Sequence, residues 1–252
     1  MFSVMTFNLR FGRADDGPNN WSYRQKAFPL LFGKYRPDFI GFQEANDFQT
    51  DFLRDFLDEY DIIGERKPAP AFWQNSPIFY KKNWKLIRHE YFFLSPTPEI
   101  PSRFRKSRWP RQCVISMFEK DDCRVICINT HFDFDTSVQT RSALLIMEQL
   151  SHLPPDIPGV LMGDFNARPS RACYQVFTGQ NQAKDPCFKN TFKEPFPGTF
   201  HGFNGNTDGG HIDWILYRGG IVTGEAAVIR DQFGGIYPSD HFPLHVRFRW
   251  ET

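Results

Sequence analysis

Ser239-Asp240-His241-Phe242-Pro243, close to the C-terminus, sets an acid beside an imidazole. The stretch is entered through Tyr237-Pro238 and followed by the alternating run Leu244-His245-Val246-Arg247-Phe248. A proline-initiated turn feeding a strand puts Asp240 and His241 at the strand's mouth, where reacting groups commonly sit on loops held by a rigid scaffold. An Asp-His pair beside a turn is also ordinary surface chemistry. Its meaning therefore depends on the partners that the rest of the chain supplies.

Outward from it, the same arrangement recurs. Phe2 to Leu9 is an apolar run too short for a helix and reads as a buried strand with Asn8-Leu9-Arg10 at its end. Phe39-Ile40-Gly41-Phe42 is a second such strand and delivers Gln43-Glu44. The strand Cys123–Asn129 runs into Thr130-His131, and Gly159-Val160-Leu161-Met162 runs into Gly163-Asp164-Phe165-Asn166. A further strand, His211 to Leu216, carries Asp213 within an apolar run.

Helices are expected over Ser22–Tyr35, despite Pro29, and over Ser137–Leu150. Between them, Phe48, Phe52, Leu53, Phe56 and Leu57 share one helical face, capped by Asn46 or Asp47. A Pro/Trp-rich loop from Pro68 to Pro77 leads into a hairpin expected from Ile78-Phe79-Tyr80 through His89. Cys113–Glu119 pairs with Cys123–Asn129 across the Lys120-Asp121-Asp122 turn. Many short strands with helices in separate regions favour an α+β fold with mostly antiparallel pairing over a regular βαβ alternation. No linker or internal repeat interrupts residues 1–252, which read as a single domain.

The bulk composition excludes several classes. Net charge of +1 leaves no global basic footprint for nucleic acid. No stretch approaches the ~20 apolar residues of a membrane span. The N-terminus lacks a basic segment followed by an apolar run, so no signal peptide is expected. Five cysteines, odd in number and without a Cys-x-x-Cys pair, fit buried thiols in a reducing compartment. The cytoplasm is the default location. One local exception to the neutral balance is Arg103-Phe104-Arg105-Lys106-Ser107-Arg108-Trp109-Pro110-Arg111, five cations and no acid. There Arg108 and Arg111 can hold phosphate while Trp109 or Phe104 stacks a base; the plain alternative is a solvated loop.

If the strand ends share one edge, that edge gathers four carboxylates, two amides and two imidazoles: Asn8, Glu44, His131, Asp164, Asn166, Asp213, Asp240 and His241. Such a set suits a hard divalent cation, because Mg²⁺ takes one or two carboxylates and leaves other positions to water and substrate phosphate. Each residue also has a structural reading; Asp164 and Asn166, for example, can close an Asx-turn. Asp213 is the hardest to dismiss, since an acid in a buried strand needs a partner. His241 is the natural one, its tautomer fixed by a carboxylate on one ring nitrogen.

Taken together, Thr6-Phe7-Asn8-Leu9-Arg10, Gly41-Phe42-Gln43-Glu44, Asn129-Thr130-His131-Phe132-Asp133, Gly163-Asp164-Phe165-Asn166, His211-Ile212-Asp213-Trp214 and Ser239-Asp240-His241-Phe242-Pro243 resemble the endonuclease/exonuclease/phosphatase superfamily. The superfamily holds deoxyribonuclease-I-like nucleases, AP endonucleases, inositol polyphosphate 5-phosphatases and deadenylases. The resemblance implies a four-layer αββα sandwich, two mainly antiparallel sheets face to face with helices outside. It implies a metal site of Glu44 with Asn8 and Asp240, filled by Mg²⁺ or in its place Mn²⁺. Asp164 would orient or deprotonate the attacking water beside Asn166. His241, paired with Asp213, would meet the scissile phosphate, with His131 as a further donor.

Two departures matter. Phe134 stands where many relatives carry a second His, and Arg10 stands where AP endonucleases place an acidic metal ligand. Arg10 cannot bind metal and reads as a phosphate contact. Gly198-Thr199-Phe200-His201-Gly202-Phe203 looks like the small bacterial branch of the superfamily, with His201 placed among the substrate contacts. The expected activity is hydrolysis of a phosphoester by metal-assisted attack of water. The phosphorylated substrate is a nucleotide, a nucleic-acid strand, or a sugar or inositol phosphate. A metal-dependent DNA endonuclease or exonuclease is the first alternative, and a non-catalytic binding protein on the same fold is the second.

Overall fold

The computed structural model describes residues 1–66, 69–179 and 187–251. Pro68, the start of the Pro/Trp-rich loop, lies outside them. The chain lays down β1 (Phe2–Asn8), α1 (Trp21–Arg24), α2 (Ala27–Lys34), β2 (Phe39–Gln43), α3 (Asp47–Phe56), β3 (Tyr60–Ile63) and β4 (Ile78–Lys81). It continues with β5 (Lys85–Phe93), β6 (Gln112–Lys120), β7 (Cys123–His131), α4 (Thr136–Ser151), β8 (Gly159–Asp164) and α5 (Ala172–Thr178). The last strands are β9 (Lys189–Asn190), β10 (Asp213–Arg218), β11 (Ile221–Val228) and β12 (Leu244–Trp250).

Two six-stranded sheets result, in the orders β11-β12-β1-β2-β4-β3 and β5-β6-β7-β8-β10-β9. Pairing is antiparallel except for β1 with β2 and β7 with β8. Three apolar clusters define the layers. Phe39, Tyr80 and Val246 of the first sheet meet Phe118, Val160 and Met162 of the second in a core between the sheets. The outer face of the first sheet, with Phe7, Phe42 and Phe79, is covered by Trp21, Phe28 and Leu53 from α1, α2 and α3. On the far side, Ala143, Ile146 and Phe177 of α4 and α5 cover Ile128, Leu161 and Trp214. This is the αββα sandwich. No helix among the described residues is long and apolar enough to cross a membrane. All five cysteines are free.

Two elements differ from expectation. The helix foreseen over Ser22–Tyr35 is two helices broken at Gln25-Lys26. Pro29 is the third residue of α2, a position where the absent N–H has no carbonyl to bond, so it is tolerated. The expected Ile78–His89 hairpin does not form: β4 pairs with β2 and β3, whereas β5 starts the other sheet. Trp84 drives the crossover. Its ring enters the core between the sheets, 4.8 Å from Phe39, and its Nε1–H reaches Asp38 at 3.1 Å.

Register delivers the site. In the parallel β1–β2 pair Asn8 lies opposite Gln43, so Glu44 leaves the sheet beside Asn8. In the second sheet Asp164 of β8 faces His131 of β7 on one side and Asp213 of β10 on the other. An isolated bridge from Phe200 to His241 brings the C-terminal loop to the same row. Gly163 makes the row possible. Its φ is +152°, and a Cβ there would sit 2.1 Å from the Thr130 carbonyl oxygen.

Candidate active site

The residues expected at one edge meet there, at one end of the inter-sheet seam. Asp164 is the hub. Its Oδ2 accepts from Asn8 Nδ2 at 2.8 Å and lies 3.4 Å from His131 Nε2 and 3.9 Å from His241 Nε2. Its Oδ1 accepts the Asn166 backbone N–H at 2.8 Å, closing the Asx-turn. Behind His241, both Asp213 oxygens take the Nδ1–H, at 2.9 and 3.1 Å. Ser239 Oγ, 2.6 Å from the Asn8 carbonyl, ties the opening pentapeptide to the end of β1.

The two imidazoles sit in opposite electrostatic states. Burial lowers the pKa of His131, and Arg111 and His241 push it further down, well below the usual histidine range. Burial also works against charge on His241, but Asp213, Asp164 and Asp240 together outweigh it and hold that ring well above the usual range. Asp164 is pushed up to about 7 by burial and by Asp213, against the pull of His241, Asn166 and Asn8. Burial and neighbouring charge thus bias the two rings in opposite directions beside a carboxyl biased towards protonation, an arrangement suited to proton handling.

Four residues lining the site occupy left-handed backbone: Arg10 (φ 61°), Glu44 (φ 59°), Asn166 (φ 47°) and Phe203 (φ 65°). Such conformations cost of order 1–3 kcal/mol each and persist where the surroundings over-determine them. Glu44 shows the over-determination: Phe11 N–H donates to its Oε2 at 2.6 Å and Asn8 Nδ2 approaches Oε1 at 3.3 Å. Arg10 is held to Asp16 by two hydrogen bonds of 3.0 and 2.7 Å and lies 3.7 Å from Asp240. These groups line a cleft of about 550 Å³ together with Asp164, Asn166, His241 and three phenylalanines, Phe134, Phe200 and Phe203. Phe134 is 59% exposed at the mouth.

Glu44 and Asp240 line one cleft and form a hard-oxygen donor pair that fits a divalent cation, with the Asp164 and Glu44 oxygens converging near His131. Asn8, expected at the metal, lies between the two carboxylates. Its Oδ1 accepts the Arg10 N–H at 2.8 Å, an obligate donor, which turns the amide N–H groups towards Asp164 and Glu44. In this arrangement Asn8 braces both carboxylates.

The expected substrate contacts separate in space. Arg10 reaches the cleft. His201 does not line it: the ring is 3% exposed and stacked on Phe242 at 3.9 Å, with Nδ1 accepting the Gly205 N–H. Burial lowers its pKa to about 4. Arg111 is buried behind His131, 2.8 Å from Nδ1. Arg108 and Trp109 stand on the surface, the guanidinium over the indole, while Phe104 is buried.

Two supports had no role in the sequence reading. Asp133 Oδ2 takes hydrogen bonds from Ser107 Oγ and the Arg108 N–H, at 2.9 and 2.7 Å, pinning the basic segment beside the end of β7. Arg24 is fully buried and donates to the Leu9, Asn19 and Pro238 carbonyls, joining three loops beneath the cleft. Asp133 stood inside a quoted motif; Arg24, within the helix expected over Ser22–Tyr35, gave no signal.

This fold, with acids and imidazoles at one seam of two sheets, defines a phosphoester hydrolase. The chain belongs to the endonuclease/exonuclease/phosphatase family, whose model matches residues 5–241. Among solved structures it is similar to a Bacteroides vulgatus endonuclease/exonuclease/phosphatase, 25% identical with 99% of each chain covered and a TM-score of 0.89. It is also similar to the mannosyl-6-phosphatase of Bacteroides thetaiotaomicron VPI-5482, at 24% identity, 99% and 100% coverage and TM-score 0.90. D. rerio TDP2 complexed with a single-stranded DNA product shares the fold at 16% identity, 98% coverage of both chains and TM-score 0.79. No curated protein matches the chain.

Proposed function

We propose that the protein is a Mg²⁺-dependent phosphoesterase acting on a small phosphorylated molecule, a sugar phosphate or nucleotide, held in the cleft beside Asp164. The observation that carries this reading is the Asp213–His241–Asp164 row, with its 2.9 Å ion pair at one end and an acceptor carboxyl 3.9 Å away at the other. Glu44 and Asp240 would hold the cation, whose contribution when bound is to polarise phosphate oxygens and offset their charge. Asp164 takes the proton of the attacking water, its oxygens fixed by Asn8 and by the Asn166 N–H. His241 presents its Nε2–H to the phosphate, the imidazolium sustained by Asp213. Arg10, kept extended by Asp16, faces the same oxygens.

The size of the substrate follows from where the cations lie. Arg111 is spent behind His131, and Asp133 pins Arg108 and Trp109 on the surface. A cleft of about 550 Å³ suits a small molecule. The likeness in fold to a mannosyl-6-phosphatase supports the sugar-phosphate branch. A second reading, a single-stranded nucleic acid substrate, has one observation in its favour: Trp109 is 48% exposed with Arg108 above its ring.

A panel of p-nitrophenyl phosphate, bis-p-nitrophenyl phosphate, hexose and inositol phosphates, nucleotides and single-stranded oligonucleotides, each with Mg²⁺ or Mn²⁺, separates these readings. Highest kcat/KM on a hexose phosphate or nucleotide is expected. Preference for oligonucleotides would transfer the weight to the Trp109 surface. No hydrolysis of any member would leave the non-catalytic alternative.

A further inference from the structure

His131 lies within reach of four polar partners, and their donor chemistry determines its tautomer. Arg111 Nη1 is 2.8 Å from Nδ1. A guanidinium cannot accept a hydrogen bond, so Nδ1 must carry the lone pair. The proton of the neutral ring then sits on Nε2, which faces Asp164 Oδ2 at 3.4 Å and Glu44 Oε1 at 3.9 Å, two acceptors. One contact opposes this arrangement: Asn166 Nδ2 is 3.1 Å from Nε2. That amide has another acceptor in the Phe132 carbonyl at 3.0 Å. The charged donor is nearer than the amide, and charge-assisted hydrogen bonds are roughly twice as strong as neutral ones. A bare Nε2 would also set its lone pair against Asp164 Oδ2 whenever that carboxyl is ionised.

We propose that Arg111 is a positioning residue that locks His131 into its Nε2–H tautomer, making His131 a neutral hydrogen-bond donor into the site and barring it from the metal. Both ring nitrogens are committed: Nδ1 to the guanidinium, Nε2 to its own proton. His131 therefore leaves the cluster it forms with Glu44 and Asp164, and the cation is held by oxygens alone. The same assignment gives a role to a buried arginine whose Nη1 otherwise meets Gln74 Oε1 at 3.5 Å. This rests on the phosphoesterase reading only for the meaning of the donor; the tautomer stands on the geometry.

The test is long-range ¹H–¹⁵N spectroscopy of histidine-labelled protein, with the His131 signals assigned by their loss in H131N. The expected wild-type pattern is an unprotonated Nδ1 and a protonated Nε2. Arg111→Lys, which keeps an obligate donor, should retain that pattern, and Arg111→Met should convert it to a mixture or to Nδ1–H. Kinetically, Arg111→Met should lower kcat about 10²-fold, the scale of one lost donor to a developing oxyanion. Its KM should change far less, with Arg111→Lys recovering most of the rate. Mn²⁺ affinity, measured by paramagnetic titration, should stay within about threefold in His131→Asn. A wild-type ring protonated on Nδ1 overturns the proposal whether or not the protein turns over any substrate. Loss of Mn²⁺ binding in His131→Asn overturns the exclusion from the metal. Failure of the substrate panel alongside the expected spectrum would instead count against the activity.

Discussion

Asp213 accepts the His241 Nδ1–H on both oxygens and never reaches the cleft wall itself. Asp213→Asn should therefore lower kcat by roughly 10²–10⁴-fold through loss of the imidazolium, the range over which positioned proton donors act. Mg²⁺ affinity should be unchanged; titrating rate against Mg²⁺ separates the two, and an unaltered kcat would break the proposed pair. His201 acts on stability instead. Its folded pKa of about 4 lies below the ordinary histidine value, so the unfolded chain binds more protons between about 6.5 and 4. The neutral, buried ring is therefore undisturbed above pH ~6.5, and stability is lost as the pH falls through that window, by up to ~3 kcal/mol from this one group. Urea unfolding at pH 7, 5.5 and 4.5 should give a shallower pH slope for His201→Phe than for wild type. Parallel slopes would show that the ring does not titrate with unfolding. At this scale the sequence told which atoms would meet, because strand ends bearing acids and imidazoles have few other reasons to recur. It did not tell direction: His201 and Arg111 were turned away from the cleft by Phe242 and His131, neighbours distant in sequence.

Elements meet the site through β7, β8 and β10, whose register puts His131, Asp164 and Asp213 in one row. Gly163 is the position that row cannot do without, since a side chain would strike the Thr130 carbonyl of β7. Gly163→Ala should cost more than about 2 kcal/mol of unfolding free energy, because the clash is with backbone and a left-handed φ adds strain. Chemical denaturation checks this, and a change within about 0.5 kcal/mol would mean the strands part freely. Strands with buried apolar runs were legible, as was α3, whose Phe48, Phe52 and Phe56 repeat at four-residue intervals. β3 and β11 were not: Tyr60-Asp61-Ile62-Ile63 is short, and Ile221–Val228 mixes Thr, Gly and Glu along an outer strand. The crossover at Trp84 was hidden for a different reason. Whether two neighbouring strands pair or part depends on which core takes the residue between them, and no local pattern carries that.

Across the whole molecule, the two sheets must hold a fixed spacing at the seam where the site lies. A buried polar bridge does this. Gln43 Nε2 of the first sheet donates to Asn129 Oδ1 of the second at 2.7 Å, and Asn129 Nδ2 donates to the Phe42, Ser76 and Pro77 carbonyls. Asn129, bonded through both its amide oxygen and its amide nitrogen, ties the sheets together here, which keeps Glu44 at the end of one sheet in register with Asp164 at the end of the other. The layer order was foreseen through family resemblance, since composition alone allows several α+β arrangements. The central claim is that this seam hydrolyses phosphoesters with a divalent cation held by Glu44 and a water activated by Asp164. The direct measurement is the initial rate on the best substrate of the panel against Mg²⁺ concentration, for wild type, Glu44→Gln and Asp164→Asn. Wild type should lose its rate in EDTA and regain it with Mg²⁺, Glu44→Gln should require far more Mg²⁺, and Asp164→Asn should stay at least about 10²-fold slow at saturation. A wild-type rate indifferent to EDTA, or an Asp164→Asn enzyme as fast as wild type, would contradict it.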